Sequence, residues 1–240
     1  EIPEGRWFDI PRRGRTWLTD IPGPTPDAPA IVLLHAVGCT GMLTWFTCIE
    51  QLRQRYRVVI FDQRWHGRGI ISEHFSIHDC ADDVAAVIQE LELDKPIIAG
   101  YSMGCYISQV LASSWPGRIR GLAMIAGLRS SAIGEMVNEM ELGLIERLGE
   151  IPEAVTVFEQ LMTTLGPGML GDDLTVRAWR EVLTAGEPVW ASPDGLKGQL
   201  SASHGWMLAK EPTPERLAAI DVPALVVAYQ HDVFFPPSGS

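Results

Sequence analysis

Ser102 stands in the pentapeptide Gly100-Tyr101-Ser102-Met103-Gly104, directly after the apolar run Pro96-Ile97-Ile98-Ala99 and before a helical pattern of Ile107, Val110 and Leu111. A serine on a sharp strand-to-helix turn takes up strained dihedrals, and glycines two residues to either side remove the side chains that would collide there. Its Oγ is then presented at the carboxyl edge of a sheet, within reach of a carbonyl carbon. The Met103 N–H and the helix N-terminus would face the oxyanion formed by attack. This is the chemistry of nucleophilic acyl transfer; a turn serine buried for packing alone is the plainer alternative.

The elements that must position Ser102 are legible as a rhythm of short apolar runs. Ile31-Val32-Leu33-Leu34, Val58-Val59-Ile60-Phe61, Pro96-Ile97-Ile98-Ala99, Leu122-Ala123-Met124-Ile125 and Ala224-Leu225-Val226-Val227 are continuous and apolar, as parallel strands buried on both faces are. Residues 5 to 20 alternate loosely about Arg13-Gly14, which predicts a β-hairpin running into the turn-rich Pro22-Gly23-Pro24-Thr25-Pro26. Ser76 with Asp79 three residues later predicts a capping box, and Ile77, Cys80, Val84, Val87, Ile88 and Leu91 share one face of the helix that follows. Strand and helix in alternation predict an α/β fold, a mostly parallel twisted sheet with helices on both faces. From about 130 to 208 the strands stop and helical spacing takes over, in Ile133, Met136, Val137, Met140, Leu144 and Leu148, then in Val155, Phe158, Leu161 and Met162. The expected organisation is a core of residues 1–129 and 209–240 with a helical insertion over 130–208.

Composition narrows the partners. The 240 residues are 46% hydrophobic and 20% charged, outside the disordered class, and no uninterrupted apolar stretch is long enough to span a bilayer. Nineteen basic against 30 acidic residues give a formal charge of −11, without the basic face that nucleic acid requires. Residues 130–174 alone hold nine acids and one base, Arg147, the pattern of a solvated outer face. Cys39, Cys48, Cys80 and Cys105 are irregularly spaced with no C-x-x-C pair, so a reduced, cytoplasmic chain with no metal site is expected. No secretory segment is visible at the start, which opens without Met.

The strand–Gly-x-Ser-x-Gly–helix unit, Leu33-Leu34-His35-Ala36-Val37-Gly38, Phe61-Asp62-Gln63-Arg64-Trp65-His66-Gly67-Arg68-Gly69, and Ile220-Asp221-Val222-Pro223-Ala224-Leu225-Val226-Val227 with Asp232 and Pro236 beyond it together resemble the α/β-hydrolase superfamily, over essentially the whole chain. Within it the sequence is similar to single-domain bacterial esterases, enol-lactonases and cofactor-free haloperoxidase-like members. The resemblance implies that Val37 supplies a second oxyanion N–H beside Met103, that His35 stabilises its loop, and that residues 64–67 are packing residues. Ala36 stands where the family usually has glycine, which should restrict the loop. Asp232 falls where the family's triad acid sits, and it would orient a histidine base. The other position used for the acid offers Gly127-Leu128-Arg129-Ser130-Ser131 and no carboxylate.

No histidine follows Asp232, whereas the resemblance implies a further helix, a strand, the catalytic histidine and a last helix. The expectation is a chain that continues; within this sequence His204 is the weak candidate for the base. The resemblance then implies a serine hydrolase that cleaves an ester, lactone or related carbonyl bond of a small apolar substrate, without cofactor. Tyr101, Met140 and Trp206 are the expected substrate contacts beneath a lid made by the insertion. Perhydrolysis on the same scaffold, or a binding protein without turnover, are the alternatives, and a homo-oligomer is possible.

Overall fold

The computed structural model describes residues 2–127, 129, 132–185, 189–192 and 194–239. The chain opens with a hairpin, β1 (Arg6–Ile10) and β2 (Gly14–Ile21), whose turn carries Arg12 and Gly14 at positive φ. It continues through β3 (Ala30–Leu34), the short helices α1 (Gly41–Trp45) and α2 (Ile49–Leu52), β4 (Arg57–Phe61), α3 (Ile77–Glu90), β5 (Ile97–Tyr101), α4 (Met103–Ser114) and β6 (Gly121–Ile125). Five helices then intervene: α5 (Ala132–Leu148), α6 (Glu153–Thr164), α7 (Pro167–Leu170), α8 (Asp173–Thr184) and α9 (Gly195–Leu208). α10 (Pro214–Ala218), β7 (Ala224–Val227) and a single 3-10 turn complete the described chain.

The seven strands form one sheet in the order β1-β2-β4-β3-β5-β6-β7. β1 with β2 and β2 with β4 are antiparallel; every pair from β4 through β7 is parallel. β3 is buried at all five residues, as a central strand must be when helices cover both faces. α3 and α4 bury Ile77, Val84, Ile107 and Leu111 on one face against Val32, Leu34 and Ile98. α1 and α2 bury Trp45 and Ile49 on the other against Ile31, Leu33 and Ile60. Ser76 caps α3, its Oγ accepting from the Asp79 N–H at 3.0 Å and donating to Asp79 Oδ2 at 2.7 Å.

Residues 64–67 do pack structurally. Arg64 is buried, its Nε and Nη2 donate to the two carboxylate oxygens of Asp83 at 2.6 and 2.9 Å, and Nη1 reaches the His74 carbonyl at 2.9 Å. Arg13 from the hairpin turn also bonds Asp83. A bridge pairs His66 with Trp190, flanked by Gly67 N–H to Val189 O and Ala191 N–H to Trp65 O at 2.6 and 2.8 Å. This stitches the inserted region to the loop after β4.

The apolar spacing in the insertion does not translate into burial. Met136, Met140 and Phe158 are 67%, 44% and 61% exposed, and the insertion's own core is the small group Val157, Leu161 and Leu165 with Leu170, Val176, Trp179 and Leu183 against it. Periodicity identifies a helix face; whether another element covers it is decided elsewhere in the chain. Among the described residues no helix is long and apolar enough to cross a membrane, and all four cysteines are free thiols.

Candidate active site

β5 carries the chain to Ser102, which caps α4 with φ 52° and ψ −116°. A non-glycine residue there is strained and persists only where its surroundings over-determine it. The surroundings are visible: Ser102 N–H donates to Ile125 O at 2.9 Å, and Ser102 O accepts from the Cys105 N–H at 2.8 Å. A Cβ on Gly100 would stand 2.3 Å from the Gly104 carbonyl oxygen, and one on Gly104 would stand 2.5 Å from that of Leu34. Both glycines are therefore required by close approach of backbone to backbone. Met103 is the first residue of α4, so its N–H has no acceptor within the helix and remains directed outward at the positive end of the dipole.

A cavity of about 80 Å³ opens at this point. Ser102, Met103 and Val37 form its base, Phe75, Tyr106 and Phe235 its apolar walls, and Ala202, Ser203 and Met207 of α9 its far side. Val37 reaches it from the turn between β3 and α1, where Gly38 takes φ 62°; Ala36 and Val37 need no positive φ, so alanine in place of the usual glycine does not disturb the turn. Asp232 lies in the turn after β7, and its Oδ1 accepts from the N–H groups of Phe234 and Phe235 at 2.9 and 2.8 Å. The carboxylate thereby fixes Phe235 in the cavity wall. The Tyr101 phenol is pushed up, first by burial and then by the charges of Tyr229 and Asp232.

The other expected residues fall differently. Tyr101 packs against the α1/α2 face of the sheet, Met140 is largely exposed on α5, and Trp206 is buried beside Tyr106, with ring centroids 5.2 Å apart. None of the three lines the cavity. His204 is half-buried on α9, next to Ser203 of the cavity wall. Phe75, Tyr106, Ser203 and Phe235 went unread in the sequence. The one signal for Phe235 was its place three residues beyond Asp232; nothing local marks the others.

Two buried histidines, His35 and His66, lie in the loops after β3 and β4. Gln63 N–H donates to His35 Nε2 at 2.8 Å, so Nδ1 carries the hydrogen and donates it to Ala36 O at 2.7 Å. Burial pulls His35 down to about 4 and His66 to about 3, so both rings are neutral at neutral pH. His66 Nδ1 donates to Arg64 O at 3.0 Å. Its Nε2 is buried without a hydrogen-bond partner among the described residues, between Trp190 and His35 at ring distances of 4.5 and 5.0 Å.

A family model described as alpha/beta hydrolase fold matches residues 29–240. The chain belongs to the alpha/beta hydrolase fold family. It is 27% identical over 186 residues to a Mycobacterium tuberculosis protein named as a non-heme bromoperoxidase, a match covering 76% of this chain and 67% of that protein. It is 34% identical over 93 residues to 3-oxoadipate enol-lactonase 1 of Acinetobacter baylyi, covering 39% of this chain and 34% of the relative. Among solved structures, the enol-lactonase of Burkholderia xenovorans aligns with a TM-score of 0.73 at 20% identity, over 98% of this chain and 85% of that one. The α/β-hydrolase relatives are enzymes, and this chain is one of their family.

Proposed function

We propose that the chain is a serine hydrolase that cleaves an ester or lactone bond of a small apolar substrate through an acyl-enzyme on Ser102. The observation that carries this is the strained Ser102 at the β5–α4 turn, opening on an apolar cavity. Ser102 Oγ attacks the carbonyl carbon as its proton passes to a histidine base, and the Met103 and Val37 N–H groups hold the oxyanion. Collapse of the tetrahedral adduct expels the alcohol, and water then releases the acid. Asp232 is the acid that orients the base. Within this sequence His204, on α9 next to Ser203, is the candidate for that base. The enol-lactonase relative supports an ester or lactone bond, and the apolar walls support an apolar group beside it. Helices α5–α9 act as a lid through the α9 residues that face Ser102, with Trp206 anchoring α9 on Tyr106. The relative named as a bromoperoxidase favours one second reading, in which peroxide replaces water as the acyl acceptor.

An active-site-directed fluorophosphonate should label Ser102, and Ser102→Ala should abolish labelling and p-nitrophenyl ester hydrolysis together. Labelling that survives the substitution removes Ser102 from the role.

A further inference from the structure

The loop that carries Val37 is clamped at both ends by two adjacent residues of the β4 loop. At its start, Gln63 Nε2 donates to His35 O at 3.0 Å while Gln63 N–H donates to His35 Nε2 at 2.8 Å. At its end, Asp62 Oδ1 accepts from the Gly41 N–H at 2.9 Å, and Asp62 Oδ2 accepts from Arg68 N–H at 3.0 Å. Gln63, His35 and Asp62 are all buried. Between the clamps the chain turns at Gly38, where a side chain would meet only the Trp190 ring edge, at 3.9 Å. That glycine serves the turn rather than close packing, so the loop's position depends on its two ends.

Gln63 carries a cost that packing alone does not explain. Its Oε1 is buried without a partner among the described residues, and an unpaired buried acceptor is unfavourable. An apolar side chain of the same length would fill the same volume without that cost, but it would leave the His35 carbonyl, at the carboxyl end of β3, without its donor. The amide N–H is the part of Gln63 that the fold uses, and the group it restrains lies two residues before Val37.

We propose that Gln63 is the positioning residue of the oxyanion loop, holding the Val37 N–H in register with Ser102 through its paired bonds to His35. The assignment rests on the acyl-transfer reading given above. It predicts a particular kinetic signature. The oxyanion exists only after attack, so a displaced donor weakens the transition state and leaves ground-state binding almost untouched. A displacement of about 1 Å in such a group costs about 100-fold in rate.

The test uses Gln63→Met, which keeps the volume without the donor, and Gln63→Asn, which keeps an amide too short to reach His35. Both are assayed in the full chain with a short p-nitrophenyl ester and by titration with a boronic acid that forms a tetrahedral adduct on serine. The expected result is a fall of about 100-fold in kcat, with KM held within about twofold and a comparable loss of boronate affinity. Thermal melting establishes that each variant is folded. A folded variant that keeps wild-type kcat, a loss confined to KM, or failure of both variants to fold overturns the proposal. Ser102→Ala separates the two levels: activity or boronate binding surviving that change overturns the nucleophile assignment and this one with it. Activity that depends on Ser102 but ignores Gln63 overturns the positioning role alone.

Discussion

Asp83 holds two arginines at once, Arg64 from the β4 loop and Arg13 from the hairpin turn, and it is almost fully buried. Such a group contributes through the consequence of its removal: two guanidinium groups would be left without their shared carboxylate, and Arg64 is itself inside. Asp83→Ala should therefore destabilise the fold by about 3–5 kcal/mol, read as a lowered urea midpoint. Arg13→Ala, at a half-buried position, should cost much less. Gly100→Ala tests a different residue-scale constraint. Its new methyl would press on the Gly104 carbonyl, and overpacking of this kind costs about 1–3 kcal/mol. Because the displaced atoms belong to the turn bearing Ser102, fluorophosphonate labelling should fall further than the thermal midpoint does.

At the scale of elements, two helices of the insertion carry carboxyl groups that burial perturbs. Glu141 of α5 is raised to about 8, first by burial and then by the charge of Glu159 of α6; burial raises Glu159 as well. The folded state holds the Glu141 proton more tightly than the unfolded chain does. Its contribution to stability is therefore full below the ordinary value of 4.5 and is lost as pH rises to about 8. Glu141→Gln should flatten this decline, so that melting midpoints at pH 5 and pH 8 move closer together than in the parent chain. α9 brings the insertion to the cavity through Ala202, Ser203 and Met207. Met207→Ala should shift the ranking of p-nitrophenyl esters of different acyl length with little change in melting, whereas Met140→Ala, on an exposed face, should leave the ranking in place. The inserted helices were legible as helices because 3.6-residue spacing is a local property. Their exposed Met136 and Phe158 were not, because covering a face requires a partner element that local spacing does not name.

For the whole molecule, all the apolar runs found in the sequence became strands; β3 and β4 are covered on both faces as such runs require, whereas β7, expected to be buried likewise, is an exposed strand of the sheet, with Leu225 61% exposed, because no described element covers it. The hairpin could be read because Arg13-Gly14 is a turn signal between alternating segments. The antiparallel union of β2 with β4 left no such mark, nor did the bridge from His66 to Trp190. Both are agreements between distant segments. The same division runs through the site: Ser102 and its glycines announce themselves within five residues, while the cavity walls come from α3, α4, α9 and the turn after β7 and have no common motif. β6 and β7 pair in parallel, Leu122 opposite Ala224 through Ile125 opposite Val227, although all the inserted helices lie between them. Closing a connection costs free energy only as the logarithm of its length, about 0.6 kcal/mol for each doubling, so roughly a hundred residues can be halved or extended there with little penalty to the sheet. Descent with modification has room at this junction: new helices can be tried over an unchanged β5–α4 turn, without rebuilding the strands on either side.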